Sequence, residues 1–190
     1  MMNVLVTGGA GYIGSHVVEE LQKNGFTPIV YDNLSTGHAA AVPEEVQLVE
    51  GDIHDVAFLK HIMAQFEIDA VINFAASSLV GESMENPSKY YFNNVEGSLH
   101  LLEAMKGAGV DYIVFSSTAA VYGEPESVPI KEDSCLKPTN VYGRTKLMIE
   151  KMLADYDMAY EMRYVALRYF TPQELRRAVI SAKTMILNRI

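Results

Sequence analysis

Tyr142 and Lys146 are the two side chains of this sequence whose types and spacing could move a proton. They stand four residues apart in YGRTK at 142–146, so a helix would present both on one face. A free tyrosine has a pKa of about 10 and is a poor base at neutral pH, but a neighbouring ammonium favours the phenolate. The sequence therefore predicts that Lys146 lowers the pKa of Tyr142 and makes it an acid–base group worth about 10²–10⁴-fold in rate.

The Tyr142–Lys146 pair alone is weak evidence for catalysis, because Tyr-x-x-x-Lys is common on ordinary helices. Its significance depends on the residues predicted to lie beside it. Ser116, Ser117 and Thr118 end the preceding predicted strand in FSSTAAVYG. Thr118 could donate a hydrogen bond to a substrate hydroxyl or carbonyl oxygen beside Tyr142. The predicted catalytic set is therefore Tyr142, Lys146 and Thr118.

A glycine turn at 7–16, TGGAGYIGSH, has Gly8, Gly11 and Gly14 spaced three apart between a predicted strand and a predicted helix. In such a turn the first glycine permits the bend, the second lets the backbone approach a pyrophosphate, and the third lets the helix lie close to the sheet. The helix N-terminus adds N–H donors and a partial positive charge. Glycines also punctuate ordinary strand–helix turns, so the triplet alone is a weak signal.

Acidic residues after the next two predicted strands strengthen the interpretation. Asp32 could accept hydrogen bonds from an adenosine ribose and would repel a 2′-phosphate, which favours NAD over NADP. Asn33 offers a further ribose or adenine contact. Asp52 and Ile53 could bracket an adenine ring, although a solvated strand end is the commoner meaning of such a pair. Since a positive nicotinamide ring would also favour the phenolate of Tyr142, the two motifs together predict a nicotinamide enzyme.

Short apolar runs alternate with helix-period segments along the chain. Strands are predicted at Asn3–Val6, Pro28–Tyr31, Val46–Val49, Ala70–Ala75, Tyr112–Ser116 and Tyr164–Tyr169, and helices at Ile13–Asn24, Asp55–Phe66, Ser88–Ala108 and Val141–Tyr156. This alternation predicts a doubly wound α/β Rossmann fold with a parallel sheet. The long loops Ser35–Glu45 and Glu124–Lys137 follow strands, so they belong to the ligand-binding edge.

Composition excludes several classes of function. The 190 residues suffice for one domain, and a net charge of −9 argues against nucleic acid or an anionic membrane as partner. The single cysteine, Cys135, rules out a disulfide within the chain and suits a reducing compartment. No apolar run reaches the roughly 18–20 residues of a membrane span and no signal peptide is evident, so a cytoplasmic protein without a metal site is expected.

Eight motifs resemble, in order and spacing, the extended short-chain dehydrogenase/reductase superfamily and specifically its nucleotide-sugar 4-epimerases: TGGAGYIGSH, YDNLSTG, GDIHD, NFAASSLVGES, YYFNNVEG, FSSTAAVYGE, YGRTK and LRYF. The resemblance covers residues 1–170 almost continuously. It implies tightly bound NAD as a transient oxidant and a UDP-sugar substrate, with UDP-glucose and UDP-galactose interconverted through a 4-keto sugar. Tyr142 would be the acid and base, Lys146 would orient the cofactor, and Thr118 would hold the reacting oxygen.

The same resemblance implies further cofactor contacts and a homodimer. Beside the three glycines, the adenosine-diphosphate half would contact Tyr12, Ile13, Asp32, Asn33, Ser35, Thr36, Gly37, Asp52 and Ile53. The rest of the pocket would be formed by Phe74, Ala75, Ala76, Ser78, Asn93, Ser116, Lys146 and Phe170. Members of the family form dimers through the helices that correspond to 88–108 and 141–156.

Three departures from the family pattern bear on these expectations. Ser78 stands where some members carry lysine, which removes one cationic contact to the cofactor. Ala119 and Ala120 replace the Asp-Glu pair of the related 4,6-dehydratases, so dehydratase activity is not expected. After Phe170, Thr171 replaces the asparagine that leads into the family's substrate-binding segment.

The last twenty residues are predicted to form an amphipathic helix at 171–190 in place of that segment. The expected organisation is an NAD-binding Rossmann domain at 1–170 followed by this helix, with the C-terminal substrate-binding segment largely missing from a truncated, rearranged or engineered chain. Two alternatives to an epimerase remain open. One is an NAD-binding module with impaired catalysis, and the other is a simple NAD-dependent dehydrogenase or reductase that releases NADH.

Overall fold

The structure, a computed structural model, describes residues 1–170. Its strands are β1 Asn3–Thr7, β2 Thr27–Asp32, β3 Gln47–Glu50, β4 Ala70–Asn73, β5 Tyr112–Ser116 and β6 Arg163–Leu167. Its helices are α1 Tyr12–Lys23, α2 Val56–Gln65, α3 Val80–Glu85, α4 Pro87–Tyr90, α5 Gly97–Ala108 and α6 Val141–Tyr160. A π-helical segment, Tyr91–Glu96, joins α4 to α5, and 3₁₀ turns lie at Ala39–Ala41 and Ala119–Val121. The helix predicted at 171–190 lies outside the described residues.

The six strands form one parallel sheet in the order β3-β2-β1-β4-β5-β6. This confirms the predicted doubly wound Rossmann architecture. From β1 the chain first winds outward through β2 and β3, then crosses back to β4 and winds the other way. The carboxyl ends of β1 and β4 therefore flank the point where the winding direction reverses, which is where open α/β sheets form a ligand crevice.

Both faces of the sheet carry apolar cores, which explains why the strands read as continuous apolar runs rather than alternating ones. Leu5 of β1 lies fully buried in a cluster shared with α2, α5 and α6. Its neighbours Val4 and Val6 point to the other face and pack with α1. Full burial of such a side chain is worth about 1.5–3 kcal/mol. None of the helices within residues 1–170 is long and apolar enough to cross a lipid bilayer.

Several boundaries differ from the sequence-based prediction. The helix expected at 88–108 is helical throughout, but it contains the π segment and starts at Pro87, where the Asn86 side chain caps Lys89. The strand predicted to end at Ala75 leaves the sheet after Asn73. Helix α3 was not predicted, because six residues are too few to establish a helical period. Strand β6 ends at Leu167 instead of Tyr169.

Candidate active site

The turn between β1 and α1 lies against the chain that leaves β4. Gly8 has a φ of 73°, and a Cβ there would stand 2.6 Å from the backbone nitrogen of Ala75. A Cβ at Gly14 would stand 2.3 Å from the carbonyl oxygen of Gly8, so the start of α1 touches the turn itself. Gly11 is the N-cap of α1 and provides no side-chain cap. The turn therefore presents bare backbone and a helix N-terminus to the crevice, which is the chemistry that binds phosphate.

The Asp32 residue at the end of β2 is 8% exposed, and its carboxylate accepts two backbone hydrogen bonds. One oxygen accepts the backbone N–H of Ala10 at 3.0 Å, and the other accepts that of Leu34 at 2.9 Å. Gly37 lies so close that a Cβ there would be 3.0 Å from the carboxylate. Because each carboxylate oxygen has two lone pairs, Asp32 retains capacity for a ribose hydroxyl while tying the glycine turn to β2.

Asn33 and Asp52 are joined side chain to side chain at 3.0 Å. Asp52 also accepts from the backbone N–H of His54 at 2.9 Å and lies 2.6 Å from its ring nitrogen Nδ1. Partial burial tends to raise the pKa of Asp52, but these hydrogen bonds from Asn33 and His54 outweigh it and hold the pKa below its usual value. The His54 ring in turn stacks on Phe92, with ring centroids 4.4 Å apart. This acidic, aromatic corner is suited to an adenosine.

The remaining residues predicted for the adenosine side differ in exposure. Ile53 is 6% exposed and belongs to the core, so its side chain does not line an open surface. Tyr12 is 69% exposed and its ring meets His16, while Ile13 packs partly against the second core cluster. Ser35 and Thr36 are exposed, and Ser35 donates to the side chain of Asn33 at 2.7 Å.

The segment after β4 is held by Asn94 of the π segment, a residue that the sequence analysis missed. Asn94 is fully buried, accepts the N–H of Ser77 at 2.8 Å and donates to its carbonyl at 3.0 Å. It also donates to the Thr145 hydroxyl on α6 at 3.2 Å. The predicted cofactor residue Asn93 is half-buried beside it. Among the predicted pocket residues, Phe74, Ala75 and Ala76 are half-buried, whereas Ser78 is exposed and Phe170 is 62% exposed.

Tyr142, Thr118 and Lys146 come together where β5 meets the start of α6. The Thr118 side chain lies close enough to the Tyr142 phenol to lower its pKa. Lys146 is 2% exposed, its Nζ donates to the Ser116 carbonyl at 2.8 Å, and it stands 5.9 Å from the centroid of the Tyr142 ring. The hydroxyl of Ser116 faces that of Tyr169 at 2.6 Å. The phenol, hydroxyl and amine are thus assembled at the sheet edge that also carries the glycine turn.

The acid–base state of this group differs from the sequence-based prediction. Burial, and to a smaller extent the Tyr169 phenol, raise the pKa of Tyr142 to about 12, although the nearby Thr118 side chain lowers it. Contrary to the prediction, Lys146 is not among the groups that lower the tyrosine pKa. Lys146 points its amine at a carbonyl, and complete burial lowers the pKa of Lys146 to about 7. The ammonium is itself destabilised at this position.

Comparisons with known proteins identify the family of the chain. The model of the NAD dependent epimerase/dehydratase family matches residues 4–173. UDP-glucose 4-epimerase of Lactobacillus helveticus is 53% identical over 169 residues, which cover 89% of this chain and 51% of that protein. The chain spans about half the length of the curated relatives it matches.

Solved structures give the same picture. UDP-glucose 4-epimerase from Brucella ovis in complex with NAD has a TM-score of 0.88 and 54% identity, over 90% of this chain and 52% of that one. UDP-glucose 4-epimerase of Thermotoga maritima with UDP-glucose has a TM-score of 0.84 and 38% identity, over 88% of this chain and 55% of that one. Among residues 1–170, no group of three or more His, Cys, Asp or Glu side chains is placed to hold a metal ion.

Proposed function

The chain belongs to the NAD dependent epimerase/dehydratase family, and on that premise we propose that it binds NAD and interconverts UDP-glucose and UDP-galactose. The observation that carries the proposal is the placement of Thr118 beside the Tyr142 phenol, whose pKa it lowers, with the Lys146 amine 5.9 Å from the centroid of the phenol ring. A phenol, a hydroxyl and an amine at the carboxyl edge of a Rossmann sheet are the groups needed to move a proton at a sugar hydroxyl. The relatives named UDP-glucose 4-epimerase support the choice of reaction.

The described residues fit the proposed cofactor. Gly8 and Gly14 lack the Cβ atoms that would collide with the Ala75 and Gly8 backbone, and the N-terminus of α1 offers N–H groups to a pyrophosphate. Asp32 would accept from a ribose hydroxyl and, being anionic and buried, disfavour a 2′-phosphate. The Asp52–Asn33 pair would face the adenosine. NAD in complex with the Brucella ovis relative supports this assignment.

Bound NAD would supply a reversible acceptor for a hydride. The protein's own part is the proton. Tyr142 would take the proton of the sugar 4-hydroxyl and later return it to the 4-keto oxygen, while Thr118 holds that oxygen in hydrogen-bond reach. Lys146 would orient the cofactor ribose from the same face of α6. Because the pKa of Tyr142 is raised to about 12, the protonated phenol is the resting form, and cofactor charge would have to favour the phenolate.

The proposed substrate is a UDP-sugar, and the proposed reaction is not a dehydration. Ala119 and Ala120 form a 3₁₀ turn next to Thr118 and carry no acid–base group. The Thermotoga maritima relative solved with UDP-glucose supports a nucleotide-sugar ligand. Binding energy from the nucleotide would place the sugar at Tyr142, as remote contacts do in other enzymes.

The homodimer, the domain division at residue 170 and the cytoplasmic location are further parts of the proposal. Exposed apolar side chains on α5, α6 and the π segment support the dimer, among them Leu99, Met148 and Phe92. Sedimentation at several concentrations tests it, and one species at monomer mass would reject it. Cell fractionation tests the location.

The deciding experiment is an epimerase assay with UDP-galactose, excess NAD and high protein concentration, in which UDP-glucose is followed by chromatography. Conversion that disappears in Tyr142→Phe supports the proposal, and Tyr160→Phe, an exposed tyrosine at the far end of α6, is the matched control. Calorimetry with NAD runs in parallel. Folded, NAD-loaded protein without conversion would reject the epimerase and leave a cofactor-binding module. Stoichiometric release of NADH would instead indicate a dehydrogenase.

A further inference from the structure

An ion pair between a buried carboxylate and a half-buried guanidinium lies outside the proposed acid–base group. Glu150 on α6 is 7% exposed and accepts from Arg168, at 3.0 Å from Nε and 2.6 Å from Nη2. The same carboxylate accepts a hydrogen bond from the Ser117 hydroxyl. Ser117 follows β5 and Arg168 follows β6, so one carboxylate joins the ends of two neighbouring strands to α6.

The Arg168 guanidinium also reaches the chain that runs from β5 to α6. Its Nη1 donates to the Tyr122 hydroxyl at 3.1 Å and to the Glu132 carbonyl at 3.2 Å. Tyr122 directly follows the 3₁₀ turn that begins after Thr118. A planar guanidinium with five donors can hold these partners together, whereas a lysine ammonium could not span them.

Glu150, the acidic member of this pair, lies on the same helix as two of the proposed catalytic residues and at the same spacing. Tyr142, Lys146 and Glu150 succeed one another at four-residue steps on α6. Ser117 precedes Thr118 and Tyr122 follows it, so the ion pair holds the chain on both sides of the hydroxyl that lies beside Tyr142. Burying the Glu150 carboxylate has a desolvation cost, and a well-packed apolar pair often stabilises a fold equally well. Stability alone therefore does not account for these charges at this position.

We infer that Glu150 and Arg168 are positioning residues that fix the Thr118 hydroxyl against Tyr142. Removing the pair should loosen residues 117–123 without weakening the rest of the fold. The expected loss of turnover rests on the proposed function. The loosening does not, and it can be measured in protein that never turns over.

The test compares the double variant Glu150→Met/Arg168→Met with wild type. Arg163→Met is the matched control, because Arg163 starts β6 and forms an exposed ion pair with Asp157. Urea unfolding gives global stability, and hydrogen exchange gives local opening at the Ala120 amide, which donates to the Thr118 hydroxyl oxygen. The double variant should unfold at a urea concentration close to that of wild type, yet exchange the Ala120 amide about tenfold faster or more.

Kinetics supply the second readout where wild type turns over. In the double variant kcat should fall about tenfold or more while KM changes little, since a misplaced hydroxyl affects the reacting oxygen rather than the nucleotide. Unchanged Ala120 exchange in the folded double variant would overturn the inference. So would faster exchange that only mirrors a global loss of stability.

Two further outcomes also decide between the possibilities. An inactive wild type rejects the proposed function, and the Ala120 exchange still decides the inference. If the double variant does not fold, Glu150→Gln replaces it, because it keeps the volume and an acceptor for Ser117 while removing the charge. Faster Ala120 exchange in Glu150→Gln at wild-type stability supports positioning, and unchanged exchange rejects it.

Discussion

The hydroxyl of Ser83 accepts a hydrogen bond from the backbone N–H of Tyr142 at 3.1 Å, across 59 positions of sequence. The same hydroxyl donates to the Val80 carbonyl at 2.6 Å, and Ser83 is fully buried. Asn140, the N-cap of α6, accepts the N–H of Gly143 in the same first turn at 2.8 Å. Two of the N–H groups left unpaired at a helix start are thus satisfied, one of them by α3. Helix α3 therefore holds the backbone of the residue that carries the phenol.

Ser83→Ala should loosen that anchor. A buried N–H without a partner costs about 1–3 kcal/mol. The Tyr142 amide should exchange with solvent faster in the variant, and urea unfolding should show a loss in this range. Ser98→Ala, at a buried serine of α5, controls for the removal of a buried hydroxyl. Equal exchange of the Tyr142 amide in both variants would contradict the anchoring role.

A comparison of Gly8→Ala with Gly25→Ala separates the cost of a left-handed backbone conformation from the cost of a collision between the new Cβ and neighbouring backbone. The two glycines have φ values of 73° and 80°, but nothing lies within 4 Å of a Cβ at Gly25. Gly25→Ala should therefore cost about 1–2 kcal/mol, the strain of a left-handed residue. Gly8→Ala adds a collision with Ala75 and should cost about 1–3 kcal/mol more and abolish NAD binding. Urea unfolding and NAD calorimetry measure both effects, and similar losses in the two variants would argue against the close approach.

Lys146 should make stability depend on pH. Burial lowers its pKa from 10.5 to about 7. Between these values the unfolded chain holds a proton that the folded chain has lost, so this residue's contribution to stability rises with pH. Relative to Lys146→Met, wild type should gain stability from pH 6 to pH 9, by at most about 1.4 kcal/mol per pH unit above pH 7. Lys151→Met, at an exposed lysine of the same helix, is the matched control for replacing a lysine by methionine. Parallel pH curves for wild type and Lys146→Met would contradict the buried amine.

Asn94→Ala should destabilise the fold more than Asn93→Ala. Asn94 satisfies both backbone groups of Ser77 and donates to Thr145. Its removal leaves buried groups unpaired, at about 1–3 kcal/mol for each that water cannot reach. The half-buried Asn93 donates to Asn94 at 3.0 Å, so its loss should cost about 1 kcal/mol. Urea unfolding of the two variants decides, and an equal cost would show that the π segment does not depend on Asn94.

The architecture could be predicted from the sequence because it depends on local patterns. The apolar runs at β1, β4 and β5 and the glycine turn at 8–14 specify buried parallel strands and a tight strand–helix connection. The position of Tyr142 and Lys146 on one helix face could be predicted from their spacing. Each of these features depends on residues close together in the chain.

The missed features depend on contacts between distant segments. Asn94 reaches Ser77 and Thr145, Ser83 reaches Tyr142, and Glu150 reaches Arg168. Paired asparagines in YYFNNVEG and the arginine of LRYF were visible, but no spacing rule links them to these partners. The pKa of Tyr142 was predicted in the wrong direction for a related reason. The spacing of Tyr142 and Lys146 predicts that the amine lies beside the phenol. The pKa values of both groups depend on burial by the surrounding elements, which their spacing does not reveal.

The π segment Tyr91–Glu96 lets one continuous helical stretch pack against two different helices, α6 and α2. One extra residue in a helical turn rotates the helix before the segment by about 100° relative to the helix after it. Before and within this segment the helix faces α6, and after it α5 packs chiefly on α2. Deleting a single residue here would restore α-helical phase and swing Asn94 away from Ser77. A change of one residue in chain length would therefore break the link from the β4 loop to α6 that passes through Asn94.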